Sequence, residues 1–564
     1  MDRREDGWFE VEVETQHGAR YHYRADRKSR ALPDPASRFQ PEGVHGPSEL
    51  FDPFQYQWES ENWSGISERD LILYELHVGA FTPEGTFAAA INRLDELVDL
   101  GVTALELMPV AQSAGRWNWG YDGVNLFAPR NTYGRPEDMM ALIDAAHQRG
   151  LAVILDVVYN HFGPEGNYLA EFGGYLSEKH STPWGDAPDF DGEYFGSLRR
   201  FYLENVRYWV EGFRVDGLRL DAAHCMIDHS KTHIVEEVSR EFQKLKARLG
   251  RQCHLIAESN VYDPEMLVPL EDGGFGIDAL WCDDFIHSIN AILRPGKNLS
   301  VRSYEPMDID LILRRGYVFH GTLSTERIRH LLDEFPEKVG IESLVVALQN
   351  HDFIGNDPGG ERLHQLTSTE AQRAVAALLI LQPSIPMLFM GEEFASESPF
   401  YFFTDFGDEK IRRAVEQGRK EEHPLHDWNN IVSPISDAAF LDSKLLEASA
   451  GNQQTLEWYR TLLEIRKAWI AAEILSSTKM TATWDPEMEV AQVVYQGDPE
   501  GYIVLVRLHS PNHDVGSFRL SFTGECILSQ GTELVVKEGR CELTIDPFGV
   551  AILRGSLIEK RVRL

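Results

Sequence analysis

The sequence predicts an α/β protein built on a (β/α)8 barrel, with a loop insertion after the third strand, a partial N-terminal β module and a C-terminal β-sandwich. Three observations carry this reading. From Leu71 to about Lys467, short apolar runs alternate with stretches of helical periodicity, the pattern of parallel strands covered by helices. Each apolar run ends in ionisable or polar residues. Beyond Lys467 the alternation gives way to short strand-like runs divided by Gly and Pro-Asn turns. The expected domains are 1–68, 69–467 (with the insertion at 162–197) and 468–564. An open doubly wound sheet is the alternative, because periodicity cannot by itself close a sheet.

The elements follow in order. Residues 8–24 alternate loosely around a Gly turn and read as β-strands, and the Pro- and Gly-rich stretch 31–53 reads as a linker. Strand one is LILYELHVG from Leu71. After it, Phe87, Ile91, Leu94 and Val98 lie at helical spacing, and Gly101 stands where glycine caps a helix. Strand two is VTALELMPV, and the helix that follows stops at Gly150. Strands three to six are LAVILDVVYNH, the end of GFRVDGLRLDAAH, HLIAES and IDALWCDDF. SLVVALQNHD and IPMLFMGEE complete the eight, with TEAQRAVAALLILQ as the helix between them. The Gly- and Asp-rich insertion between His161 and Leu198 is long for a barrel loop, and such loops usually carry function. GYIVLVRLHS, GSFRLSFTG, TELVVK and CELTIDPFGVAILRG form the C-terminal sandwich strands.

Composition narrows the function. Among 564 residues, 43% are hydrophobic, enough for a large core, and the formal net charge is −35. Such a surface repels phosphate backbones, which argues against nucleic acid and is compatible with a neutral polymer. The five cysteines are sparse, odd in number and without a CxxC pair, so neither a disulfide framework nor a zinc ribbon is expected. The charged N-terminus lacks an apolar signal core, and Ala374–Leu381 is far too short to span a bilayer. A cytoplasmic location with no membrane association is the expectation. Nothing in the sequence sets the oligomeric state.

Barrel enzymes place their reacting groups at the C-terminal ends of the strands. Here those ends offer His77, Asp156 with Asn160 and His161, Arg219 with Asp221 and His224, Glu258, Trp281 with Asp283 and Asp284, His351 with Asp352, and Glu392 with Glu393. Glycosidic cleavage needs two carboxylates in different protonation states beside one anomeric carbon. Arg219 lies two residues from Asp221 on the same face of a strand and favours its ionised form. Glu258 ends an apolar strand, where burial and neighbouring carboxylates are expected to raise its pKa and keep its proton. His77, Asp156 and His161 could suggest a metal. No HxH follows strand one, however, and carboxylates outnumber histidines, so no catalytic metal and no cofactor are expected. Trp117, Trp119, Trp281, Phe400, Phe402 and Phe403 could stack on sugar rings or equally pack loops.

DVVYNH (156–161), GLRLDAAH (217–224), the Glu of IAES (Glu258) and QNHD (349–352) fall on strands three, four, five and seven. In content and order they resemble the four conserved regions of the alpha-amylase family, and WGYDGVNLFAP (119–129) resembles its tyrosine-bearing loop. The resemblance implies a retaining double displacement: Asp221 as nucleophile, Glu258 as general acid/base and Asp352 as the carboxylate that favours ring distortion. It also implies sugar contacts from Tyr121, His161 and His351, with Arg219 orienting Asp221. His224, Trp281 and Asp284 complete the expected substrate-binding set. Some relatives bind calcium through the residue matching Asn160, which this sequence does not require. Longer stretches, such as PDPASRFQPEGVHGPSEL (33–50), LWCDDFIHSINAIL (280–293) and QNHDFIGNDPGGERL (349–363), are similar to one branch of the family. That branch cuts the α-1,4 bond beside the terminal trehalose of maltooligosyltrehalose. Branching, debranching or amylase activity on other α-glucans is the alternative. Phe353 and Asp357 depart from the glutamine and arginine usual in that branch, and the roughly 70 residues before the barrel allow only part of the family's N-terminal sandwich.

Overall fold

A computed structural model describes residues 1–564 except 4–8, 25–28, 194, 260–262, 298–301, 320–339, 423–427, 429–430, 498–499, 510–516, 538–539, 558–561 and 564. Eight parallel strands close a barrel: β1 (Leu73–Leu76), β2 (Ala104–Leu107), β3 (Ala152–Val157), β4 (Gly217–Leu220), β5 (His254–Glu258), β6 (Ala279–Trp281), β7 (Leu344–Ala347) and β8 (Ile385–Phe389). Met387 of β8 pairs with Leu73 of β1, which removes the sheet edge and excludes the doubly wound alternative. Strand residues point alternately inward and outward. Leu73, Ala104, Ile154, Ile256, Ala279, Val345 and Met387 fill the barrel interior, while Tyr74, Leu105, Leu155, Leu218 and Leu280 face the helical layer.

The helices end where the chain can turn left-handed. Gly101 (φ 106°) and Gly250 (φ 63°) cap the segments Leu94–Leu100 and Ile234–Leu249. One expectation shifts: the first helix breaks at Asn92–Arg93, which moves its apolar stripe to Leu94 and Leu97, and Val98 is exposed.

The insertion after β3 folds into an antiparallel hairpin of Leu176–Thr182 and Gly185–Pro188. The expected C-terminal sandwich is one continuous six-stranded antiparallel sheet. Its two long strands, Phe518–Lys537 and Arg540–Leu557, restart their pairing at bulges, so that Ile545 partners both Phe518 and Thr532. Doubling over in this way encloses a core of Ile503, Leu505, Phe518, Leu520, Leu543 and Leu553. In the N-terminal segment, Trp8 lies outside the described residues. The rest of the expected β module is limited to two-residue pairings, such as Arg20–Tyr21 with Ser48–Glu49, among the described residues. No helix among the described residues is long and apolar enough to cross a membrane.

Candidate active site

Register brings the reacting groups together. Arg219 of β4 pairs directly with Asp156 of β3, and both side chains point into the barrel near its C-terminal rim. Arg219 is 1% exposed, and such a cation needs paired anions. One terminal nitrogen, Nη1, lies 2.7 Å from Asp156 Oδ2 and 3.0 Å from Asp221 Oδ1, and the other lies 3.1 Å from Glu258 Oε2. The two expected reacting carboxylates therefore sit side by side on one guanidinium. The indole of Trp281 supports it from below, 4.1 Å from the guanidinium carbon.

Asp221 is also fixed by the Asn160 amide, which donates to its Oδ2 and to its backbone carbonyl at 2.7 Å each. Glu258 accepts the Ala222 N–H at 2.6 Å. Ala222 reaches that position only with a left-handed backbone, φ 39°, a strain that functional sites commonly store. Asp352 opens the short helix His351–Gly355 and accepts from the Asn356 amide at 2.6 Å.

The electrostatics reverse one expectation. Burial disfavours charge on Glu258, but Arg219, the Ala222 N–H and the nearby His224 and His351 outweigh it and hold the carboxyl below its ordinary value. Asp221 is pushed up by burial and by the Glu258 charge, against Arg219, His161 and Asn160. The guanidinium meant to serve Asp221 is shared, and Glu258 gains a backbone donor besides. Asp283 is raised to about 7 by burial and by the charges of Glu258 and Asp352. Asp156, likewise buried, also rises to about 7 despite Arg219. Around one cation these carboxyls titrate as a coupled set, with protons available near neutrality.

The other expected residues divide. Tyr121 lines the pocket: its hydroxyl donates to Asp156 at 2.8 Å and its ring stacks on His351 at 5.1 Å. His351 is held by Glu75 of β1, through Nδ1 at 2.5 Å and the backbone N–H at 3.0 Å. Burial opposes its charge, yet Glu75 prevails and lifts its pKa to about 9, so it is a cation at neutral pH. His224 lies near Glu258, and its Nδ1 has no hydrogen-bond partner among the described residues. In His161, Nδ1 meets the Asn160 amide and Nε2 the Tyr121 carbonyl, so a sugar hydroxyl must displace a protein partner to bond its ring.

Two assignments are corrected. Asp284 faces away from the pocket and accepts from Tyr304 Oη and the backbone N–H groups of Val318 and Phe319; its neighbour Asp283 faces the carboxylates. Trp281 is 3% exposed and serves as the floor under Arg219 rather than as a sugar platform. Trp117 packs on Phe440, and Trp119, Phe400 and Phe403 are buried in one aromatic cluster. Phe402 stays partly exposed beneath Arg419. His77 bonds Tyr133 and the Asn118 carbonyl, away from Asp156 and His161. Phe353 packs near His287, with ring centroids 6.3 Å apart.

Sequence reasoning missed two participants. Glu75 was visible only as an acid inside an apolar strand, a placement that implies a buried partner. Trp184, at the exposed tip of the insertion hairpin, stacks on His161 with centroids 5.2 Å apart. Its sole signal was an aromatic residue in a long Gly-rich loop.

Comparison with known proteins gives the family. Residues 52–185 match the alpha amylase catalytic domain model. A malto-oligosyltrehalose trehalohydrolase of Saccharolobus solfataricus is 44% identical over 471 residues, 83% of this chain and 81% of that protein. One from Deinococcus radiodurans is 36% identical over 97% of this chain and 89% of its own length. A crystal structure of a Salmonella typhimurium protein assigned as an alpha amylase is 31% identical, superposes with a TM-score of 0.85 and covers 99% of this chain and 94% of its own. With relatives 36% and 44% identical over 97% and 83% of its length, the chain belongs to the malto-oligosyltrehalose trehalohydrolases of the alpha-amylase family of glycoside hydrolases.

Proposed function

We propose that the chain hydrolyses, with retention, the α-1,4 bond next to the terminal trehalose of maltooligosyltrehalose and releases trehalose. The observation that carries the chemistry is the single guanidinium of Arg219 holding Asp221 and Glu258 together at the barrel rim. Asp221 attacks the anomeric carbon, while Glu258 protonates the leaving oxygen and then removes a proton from the incoming water. Two features support these roles despite the resting charge distribution. Asp221 keeps a donor on each oxygen, which fixes its attack direction. Asp283, pushed up to about 7 by burial and by the Glu258 and Asp352 charges, keeps part of the carboxylate set protonated near neutrality and limits the negative charge that Glu258 faces. Asp352 and the His351 cation bind hydroxyls of the distorted ring, and Tyr121 covers its face. No step calls on a metal or cofactor.

The relatives' names support the trehalose-releasing specificity. The uniformly free cysteines fit a reducing cytoplasm, and the charge of −35 fits a neutral glucan rather than nucleic acid. A branching enzyme from Pseudoalteromonas atlantica is 27% identical over 68% of this chain, so glucan transfer is the competing reading. Incubation with maltooligosyltrehalose and, separately, with plain maltooligosaccharide separates them. Release of free trehalose from the first, with slow attack on the second, is expected. New branch points, or equal cleavage of both, would defeat the proposal.

A further inference from the structure

The insertion hairpin and the loop after β4 meet at a cluster that the catalytic reading does not use. Asp191, just past the hairpin, places Oδ2 3.6 Å from His180 Nε2 and 3.3 Å from His229 Nδ1. The three donor atoms lie within 4.8 Å of one another. The two imidazoles face each other, their planes 20° apart and centroids separated by 5.1 Å. We propose that His180, Asp191 and His229 bind a zinc-class divalent ion that fastens the hairpin to the loop following the nucleophile strand.

Two ligands bound at 2.0–2.1 Å to a tetrahedral ion stand about 3.3 Å apart. Both edges that meet at Asp191 are already within a few tenths of an ångström of that value, so only the histidine–histidine edge must shorten. Asp191 is held in place, because its Oδ2 also accepts the backbone N–H of His229 at 3.1 Å. Two imidazoles and one carboxylate form a borderline donor set suited to zinc, cobalt or nickel; calcium and magnesium prefer oxygen-rich cages. Three protein ligands leave a fourth position for water. His229 is 69% exposed at its side chain, which provides an entry path for the ion.

The cluster spans segments far apart in sequence, and the hairpin it would hold carries Trp184 onto His161. His161 contacts Asn160, which grips Asp221. An ion here would therefore steady the aromatic wall of the pocket without touching the reacting groups. Metal binding itself does not depend on the assigned reaction and is read independently of it.

Tag-free protein, stripped by chelation, is titrated with zinc chloride by calorimetry, and the wild type is compared with His229→Ala and Asp191→Asn. The expected result is one equivalent bound to the wild type, weakened by more than about 100-fold in His229→Ala, because removing a direct ligand costs more than the roughly 10- to 100-fold lost with a supporting group. Cobalt(II) should give the intense visible bands of a four-coordinate site in the wild type and lose them in the variants. His229 is exposed, so its alanine variant keeps the hairpin, and an unchanged far-ultraviolet spectrum and melting point of the stripped protein check this. Absence of stoichiometric zinc binding by the wild type, or equal binding by folded His229→Ala, overturns the proposal.

Discussion

Ala222 shows how much one backbone angle decides. At φ 39° it aims its N–H at Glu258, adding a donor that a proton-carrying acid would do without. The sequence assigned Arg219 to Asp221 alone and gave no sign of the Ala222 donor; with Arg219 shared and that N–H added, the expected rise in the Glu258 pKa became a fall. Glu258→Gln removes the transferable proton but keeps the Ala222 contact. Activity on the glucan should fall by more than about 100-fold, the usual worth of general acid–base catalysis. A substrate with a good leaving group should suffer much less in its first step, and equal loss on both in single-turnover kinetics would remove Glu258 from the acid role. Glu75 acts one contact further out. It keeps His351 protonated to about pH 9 against the ordinary value of 6.5, so its stabilisation is complete below pH 6.5 and fades as pH rises through 9. Glu75→Gln lets burial win and leaves His351 neutral. The melting temperature should then lose its decline between pH 6.5 and 9, and the alkaline limit of kcat/KM should move toward neutrality. Identical pH profiles for the two proteins would show that Glu75 does not set this charge.

Between residue and barrel stand the loops that present the site, and their legibility is uneven. The eight strands could be read because parallel barrel strands are apolar throughout and stop at polar rims, a signal that needs no tertiary context. Asp283 and Asp284 could not be told apart. Asp284 is turned inward by Tyr304, Val318 and Phe319, which lie on distant segments, and adjacency in sequence says nothing of them. The doubled C-terminal strands were likewise read as separate short ones, because each bulge resembles a turn. The loop bearing Tyr121 was recognised from WGYDG, and the structure gives the reason for its glycine. Gly120 has φ +115°, and a Cβ there would meet the Pro109 carbonyl oxygen at 2.1 Å. Gly120→Ala should cost about 1–3 kcal/mol of backbone strain. It should also raise KM, because Tyr121 and the carbonyl that bonds His161 are carried on the next residue. A variant with unchanged melting temperature and KM would mean that the loop is free to relax.

The C-terminal sheet bears on the site only through the scaffold, and the coupling runs through buried polar contacts. Arg466, 1% exposed on the helix Gln453–Ala471, donates to the carbonyls of Ile380, Gln382 and Ser384 in the turn that feeds β8. Tyr495, from the sheet strand Val490–Tyr495, donates its hydroxyl to the Leu381 carbonyl in the same turn at 2.6 Å. Barrel, helix and sheet thus satisfy one set of backbone acceptors, none of which can be left bare in the interior without cost. The intact protein should therefore unfold in a single calorimetric transition rather than one for each domain. Tyr495→Phe, which removes only the hydroxyl, should lower the stability of the whole by about 1–3 kcal/mol, the penalty for stranding one buried carbonyl. Because β8 ends the same segment that presents Glu392 and Glu393, the loss should appear equally in barrel-tryptophan fluorescence and in the β-sheet circular dichroism signal. If Tyr495→Phe splits the transition in two, with the sheet melting first and activity surviving it, the sheet is an independent module and the shared turn is not what binds it to the barrel.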